Sequence, residues 1–112
     1  MRWLRGLPGG FLRSPLQRER DFFRTYRLLC DRIAAAPDNL SLRVLRGEML
    51  LERRDYPRAR ADFAAALGMG EALDMRAGWL IEEQLMRDRA LFGLEAVARH
   101  LPPAMAATHV EA

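Results

Sequence analysis

The stretch LRGEMLLERRDYPRARADFAAALGMG, residues 45–70, decides how the chain is read. Leu42, Leu45, Met49 and the pair Leu50/Leu51 recur at three- and four-residue steps, which lays apolar side chains along one face of a helix. Charges interrupt that face at Glu52, Arg53, Arg54 and Asp55. The Asp55 carboxylate can accept from a free backbone N–H of a new helix. Pro57, in the first turn, lacks only an N–H that would have no intrahelical partner. From Tyr56 a second face restarts at Ala59, Phe63, Ala66 and Leu67, and Gly68 and Gly70 offer the left-handed backbone that ends many helices. The expectation is an antiparallel helix pair over residues 40–67.

Small residues set the contact between the two helices. Gly47 on the first and Ala59 on the second let the backbones approach closely, with Phe63 filling the space beyond. Gly47 followed by Ala59-x3-Phe63-x2-Ala66 resembles the tetratricopeptide repeat, a helix–turn–helix unit of roughly 34 residues. The family's opening pattern, W-x2-L-G-x2-Y, stands here as Arg43-x2-Arg46-Gly47-x2-Leu50. The glycine and one bulky apolar residue are kept, and the aromatic and leucine before them are not. The alternative is a generic helical hairpin. The resemblance implies an all-α, right-handed array of antiparallel helix pairs, about five helices in all.

Upstream, Ser14-Pro15 opens a helix expected to run to Ala36, with apolar residues at Leu16, Phe22, Phe23, Tyr26, Leu29, Cys30 and Ile33. Its other face carries Arg18, Arg20, Arg24, Arg27 and Arg32. Pro37-Asp38-Asn39 stops it and caps the next helix. Residues 1–13 read as an irregular arm, because Gly6, Pro8, Gly9 and Gly10 break the apolar run too often for a signal core or a membrane span. Trp3, Leu4, Leu7, Phe11 and Leu12 either fold back over the helices or serve as a docking or interfacial membrane arm, with Arg2, Trp3, Leu4, Arg5 and Phe11 as contacts.

Downstream, the same period places Leu80, Gly93 and Val97 at positions matching a second, degenerate unit. Its helices are expected at about Glu71–Met86 and Arg89–His100, with the turn at Arg87-Asp88-Arg89. Pro102-Pro103 closes the helical domain at 14–103, and 104–112 read as a loose tail.

Composition agrees with one small helical domain. Of the 112 residues, 50% are hydrophobic and 29% charged, which excludes a disordered chain. All 18 basic residues are arginine, for which a GC-rich coding sequence is the bland source. Residues 1–36 hold eight arginines against Glu19, Asp21 and Asp31, a net +5, and the remainder holds ten against twelve acids, a net −2. An anionic partner for the front half, or attraction between the halves, would follow. The lone Cys30 gives no disulfide framework and reads as a small buried apolar residue.

Nothing in the chain assembles chemistry. His100 and His109 lie at a helix end and in the tail, no Cys/His spacing suits zinc, and GLPGG at Gly6–Gly10 has neither a preceding strand nor a following GK[ST]. Glu82 and Glu83 with Glu48 and Glu52 lack the Glu-x-x-His spacing of bundle metal sites. No enzyme, metal or cofactor is expected. By resemblance, the first helix of each pair lines a concave face. Here that implies Ser41, Val44, Glu48, Leu51 and Glu52, then Met75, Gly78, Glu82, Leu85 and Met86. This surface is apolar and acidic, so the carboxylate clamp of some family members does not carry over. It suits a basic amphipathic segment of another protein or subunit; alternatively, the glutamates are a solvated face.

Three functions are in view: an accessory or assembly subunit of a larger complex, a membrane-surface protein held by the arm, and a nucleic-acid binder using the first helix. The last is disfavoured by a net charge of only +3. The expected location is the cytoplasm, including the inner face of a membrane.

Overall fold

The computed structural model describes residues 14–77 and 81–102, with side chains at 14–71 and 81–102. Within them lie four helices and no strand: α1 (Pro15–Ala35), α2 (Leu40–Glu52), α3 (Tyr56–Ala77) and α4 (Ile81–Ala98). Local chemistry explains the starts. Ser14 accepts from Gln17 N–H at 3.1 Å while the Gln17 side chain accepts from Ser14 N–H at 3.1 Å, a reciprocal cap on α1. Asn39 caps α2 by accepting from Ser41 N–H at 3.0 Å. Asp55 precedes α3 and accepts from Arg58 N–H at 3.4 Å.

The link between α2 and α3 is a tight helix-terminating turn. Asp55 N–H donates to Leu50 C=O at 2.9 Å and Arg54 N–H to Leu51 C=O at 3.0 Å. These two bonds together form the Schellman arrangement, which calls for a left-handed residue between them. Arg54 takes that role with φ 61°.

Each helix runs antiparallel to its predecessor. Arg53 meets Glu19 and Arg46 meets Cys30 across α1–α2, and Arg46 meets Asp62 across α2–α3. α4 packs on both α2 and α3, whereas α1 packs mainly on α2. The core is Leu40, Val44, Leu50, Ala59, Phe63, Ala66, Ala90 and Val97. Phe63 is its centre. A Cβ built on Gly47 would stand 2.8 Å from Phe63 Cε1, and one on Gly93 would stand 2.4 Å from Phe63 Cζ. The ring is therefore held between the bare backbones of α2 and α4.

Two expectations are corrected. Gly68 and Gly70 do not end a helix: α3 passes through both and continues to Ala77. A helical glycine costs about 1 kcal/mol relative to alanine. The surrounding Ala64, Ala65, Ala66, Leu67, Met69 and Glu71 all sustain a helix. Nor is there a turn at Arg87-Asp88-Arg89, which lies inside α4. No glycine or proline interrupts that run, and charge by itself breaks no backbone hydrogen bond. The described residues hold four helices where about five were expected.

Candidate functional site

Two kinds of polar contact tie the helices together. Arg46 of α2 reaches Asp62 of α3 through Nε to Oδ2 at 2.8 Å and Nη2 to Oδ1 at 2.7 Å, and its Nη1 donates to Cys30 Sγ of α1 at 3.3 Å. Asp62 is only 5% exposed. The bond to Asp62 holds the Arg46 guanidinium well above its ordinary pKa, against the opposing effect of burial. One cation thus joins three helices. The other contacts are nearer solvent. Arg53 grips Glu19 in a two-pronged pair at 2.5 Å and lies 4.2 Å above the Phe22 ring. Arg89 of α4 donates from Nε to Glu48 Oε2 of α2 at 2.9 Å and from Nη2 to Glu48 Oε1.

The described positions inferred for a concave face lie in different settings. Val44 is fully enclosed in the core and cannot line a surface. Glu48 is committed to Arg89, so its carboxylate helps to close the fold. Leu51 and Met86 are half-buried against the core, and Ser41 is half-buried. Glu52 is exposed beside the α2–α3 turn, at the end where Tyr56 stacks on His100 with ring centroids 4.6 Å apart. Glu82 and Leu85 are exposed near the start of α4, which at 1.5 Å per residue is roughly 25 Å from that end. Met75 and Gly78 fall outside the described side chains, and the arm residues Arg2, Trp3, Leu4, Arg5 and Phe11 lie outside the described residues.

A different surface emerges on α4. Its inward side presents Ala90, Gly93 and Val97. Its outward side presents Ile81, 88% exposed, Leu85, 57%, and Phe92, 67%. Steps of four and seven residues place these three in one stripe along the helix. Glu82, Asp88 and Glu95, all exposed, stand on either side of it. Apolar residues on both sides of a helix are the pattern of one meant to be covered twice. The sequence signal was available, but a helix cut at residues 87–89 divides the stripe between two elements and hides it.

A second exposed apolar pair lies on α1. Leu16 and Phe23 face outward, and Arg20, Arg24 and Arg27 are exposed around them. The periodicity of α1 places both inward with Phe22 and Tyr26, whereas the packed face is that of Phe22, Tyr26, Leu29 and Ile33. A pocket of about 260 Å³ opens between α1 and the α2–α3 turn, walled by Phe22, Tyr26, Leu50, Arg53, Asp55 and Arg58. Among the described residues, no three His, Cys, Asp or Glu side chains gather as metal ligands. No described helix is long and apolar enough to cross a membrane.

Comparison of the chain with models of known families, with curated proteins and with solved structures returns no match.

Proposed function

We propose that the protein is a non-enzymatic interaction module whose working surface is the outer face of α4, and that this face receives a basic amphipathic helix. One observation carries the reading: Ile81, Leu85 and Phe92 point away from the core in a single stripe flanked by Glu82, Asp88 and Glu95. Burial of exposed apolar side chains supplies affinity at about 25 cal/mol per Å². The carboxylates orient an incoming cationic helix and repel an acidic one. Docking of this kind is the helix-in-groove mode, with anchors read at helical spacing.

The tetratricopeptide-like reading belongs to the same proposal. What supports it is that Gly47 and Gly93 both stand against the Phe63 ring, with Ala59 buried in the same core. In a stack of such helices an outward apolar face is one on which a further helix can be laid. An accessory or assembly subunit is the role that suits an exposed apolar stripe on α4.

The test uses a labelled synthetic helix with leucines and phenylalanine on one face and arginines beside them, followed by fluorescence anisotropy. Saturable binding is expected, weakened about tenfold or more by Phe92→Asp. A peptide with the same apolar face and glutamates for arginines should bind far more weakly. Binding that is absent, or unchanged in both Phe92→Asp and Ile81→Asp with helicity preserved, would refute the reading.

A further inference from the structure

We propose that the basic amphipathic helix received by α4 is α1 of a second copy, so that the chain assembles head to tail. This rests on α4 being a receiving face, and it names the occupant. The two outward stripes are matched in spacing and opposite in charge. On α1 the stripe is Leu16, Arg20, Phe23 and Arg27, at steps of four, three and four. On α4 the stripe of Ile81, Leu85 and Phe92, taken with Asp88 at its edge, has the same steps, with Glu95 following. The helices are of similar length, 21 and 18 residues.

Charge selects among the ways of pairing these faces. Arg20, Arg24 and Arg27 enter no ion pair among the described residues, and neither do Glu82, Asp88 and Glu95. Laying α4 on α4 brings carboxylates together, and laying α1 on α1 brings guanidinium groups together. Only α1 on α4 buries both apolar stripes while setting opposite charges at their edges. Within one chain the two faces do not meet, since α1 packs mainly on α2 while α4 packs on α2 and α3. A contact between unlike patches leaves one of each unused at the ends, so it grows into a chain or closes into a ring. A single helix-on-helix contact falls below the area of a standard stable interface, and the association is therefore weak, concentration-dependent and salt-sensitive.

Sedimentation velocity on the whole chain tests this. The average mass should rise with concentration past that of a dimer and fall when salt is raised. Phe23→Asp with Arg27→Glu disables the α1 face, and Phe92→Asp with Asp88→Arg disables the α4 face. Each variant alone should stay monomeric. Mixed in equal amounts they retain one complementary pair and should form a heterodimer that grows no further. If circular dichroism shows that a double substitution unfolds the chain, the milder Arg24→Gln with Arg27→Gln carries the α1 arm, with reduced assembly and reduced salt sensitivity expected.

A mass that stops at the dimer and ignores the α1 substitutions would overturn the proposal in favour of α4 on α4. A monomer at every concentration would overturn it too, while binding of the synthetic basic helix would leave α4 as a receiving face. Flotation with phosphatidylglycerol vesicles, lost in the α1 variant while the mass is unaffected, would assign the arginine face to lipid and overturn it as well.

Discussion

Substituting Gly93 by alanine tests how the core is built. The added Cβ would lie 2.4 to 2.8 Å from three atoms of the Phe63 ring, where carbon pairs favour about 3.5–4.0 Å. The ring has nowhere to retreat, because Gly47 on its other side leaves no slack: a Cβ there would already be 2.8 Å away. Overpacking of this kind costs about 1–3 kcal/mol, and the tight geometry on both sides argues for the upper part of that range. Helix propensity works in the opposite direction, with a gain of about 1 kcal/mol for alanine over glycine. The expected net loss is about 1–2 kcal/mol, read as a lower urea midpoint by circular dichroism with unchanged slope. Gly68→Ala is the internal control. It gains the same propensity with nothing within 4 Å of the new methyl, and should stabilise by up to about 1 kcal/mol. In a Phe63→Ala background the collision is gone, so Gly93→Ala should there be neutral or favourable. A Gly93→Ala protein as stable as the parent, or a loss that persists without the ring, would refute the clamp.

Other consequences follow from single contacts. Arg54→Gly should raise stability by about 1 kcal/mol, because the left-handed turn position penalises a side chain; Arg54→Ala should gain nothing, and thermal unfolding of the pair decides. Asp62→Ala should cost about 3 kcal/mol by leaving Arg46 without its main partner, whereas Arg46→Met with Asp62→Leu should recover most of that in urea titrations. The Arg53 guanidinium, by hydrogen bonding, lowers the Glu19 pKa from its ordinary 4.5. A depressed carboxylate contributes stability above its unfolded pKa, so this contribution is complete above about pH 4.5 and disappears as pH falls through the folded value. The pH dependence below 4.5 should be shallower in Glu19→Gln, and an NMR titration should show Glu19 protonating below an ordinary glutamate.

What could be read from residues alone was whatever is decided within a turn or two. Ser14 with Gln17, Asn39 and Asp55 each cap a helix through contacts two or three residues away, so three helix starts were legible. The close approach of Gly47 to Phe63 was legible too, because it needs only two adjacent helices in register. The end of α3 was not, since a glycine among alanines and leucines permits a helix as readily as it ends one. The Arg46–Asp62 pair was hidden because charged residues are counted as outward by default, and only the tertiary approach of α2 and α3 shows that they face each other. The settings of Val44 and Glu48 were hidden for a related reason. The family pattern assigns them to an open face, whereas Val44 is enclosed in the core and Glu48 pairs with Arg89 of α4.

One further property follows from unequal helix lengths. The α3 helix has 22 residues and α2 has 13, so α3 outruns its neighbour by nine residues, about 13 Å. The buried positions of α4 all lie in its later half, from Ala90 to Val97. Its first two turns run beside the overhang. Tolerance to substitution should therefore be lopsided along a single helix, strict from Met86 onward on its inward side and lax before it. Selection at Ile81 and Leu85 would then answer to whatever touches them from outside, leaving that end free to change its specificity without endangering the rest.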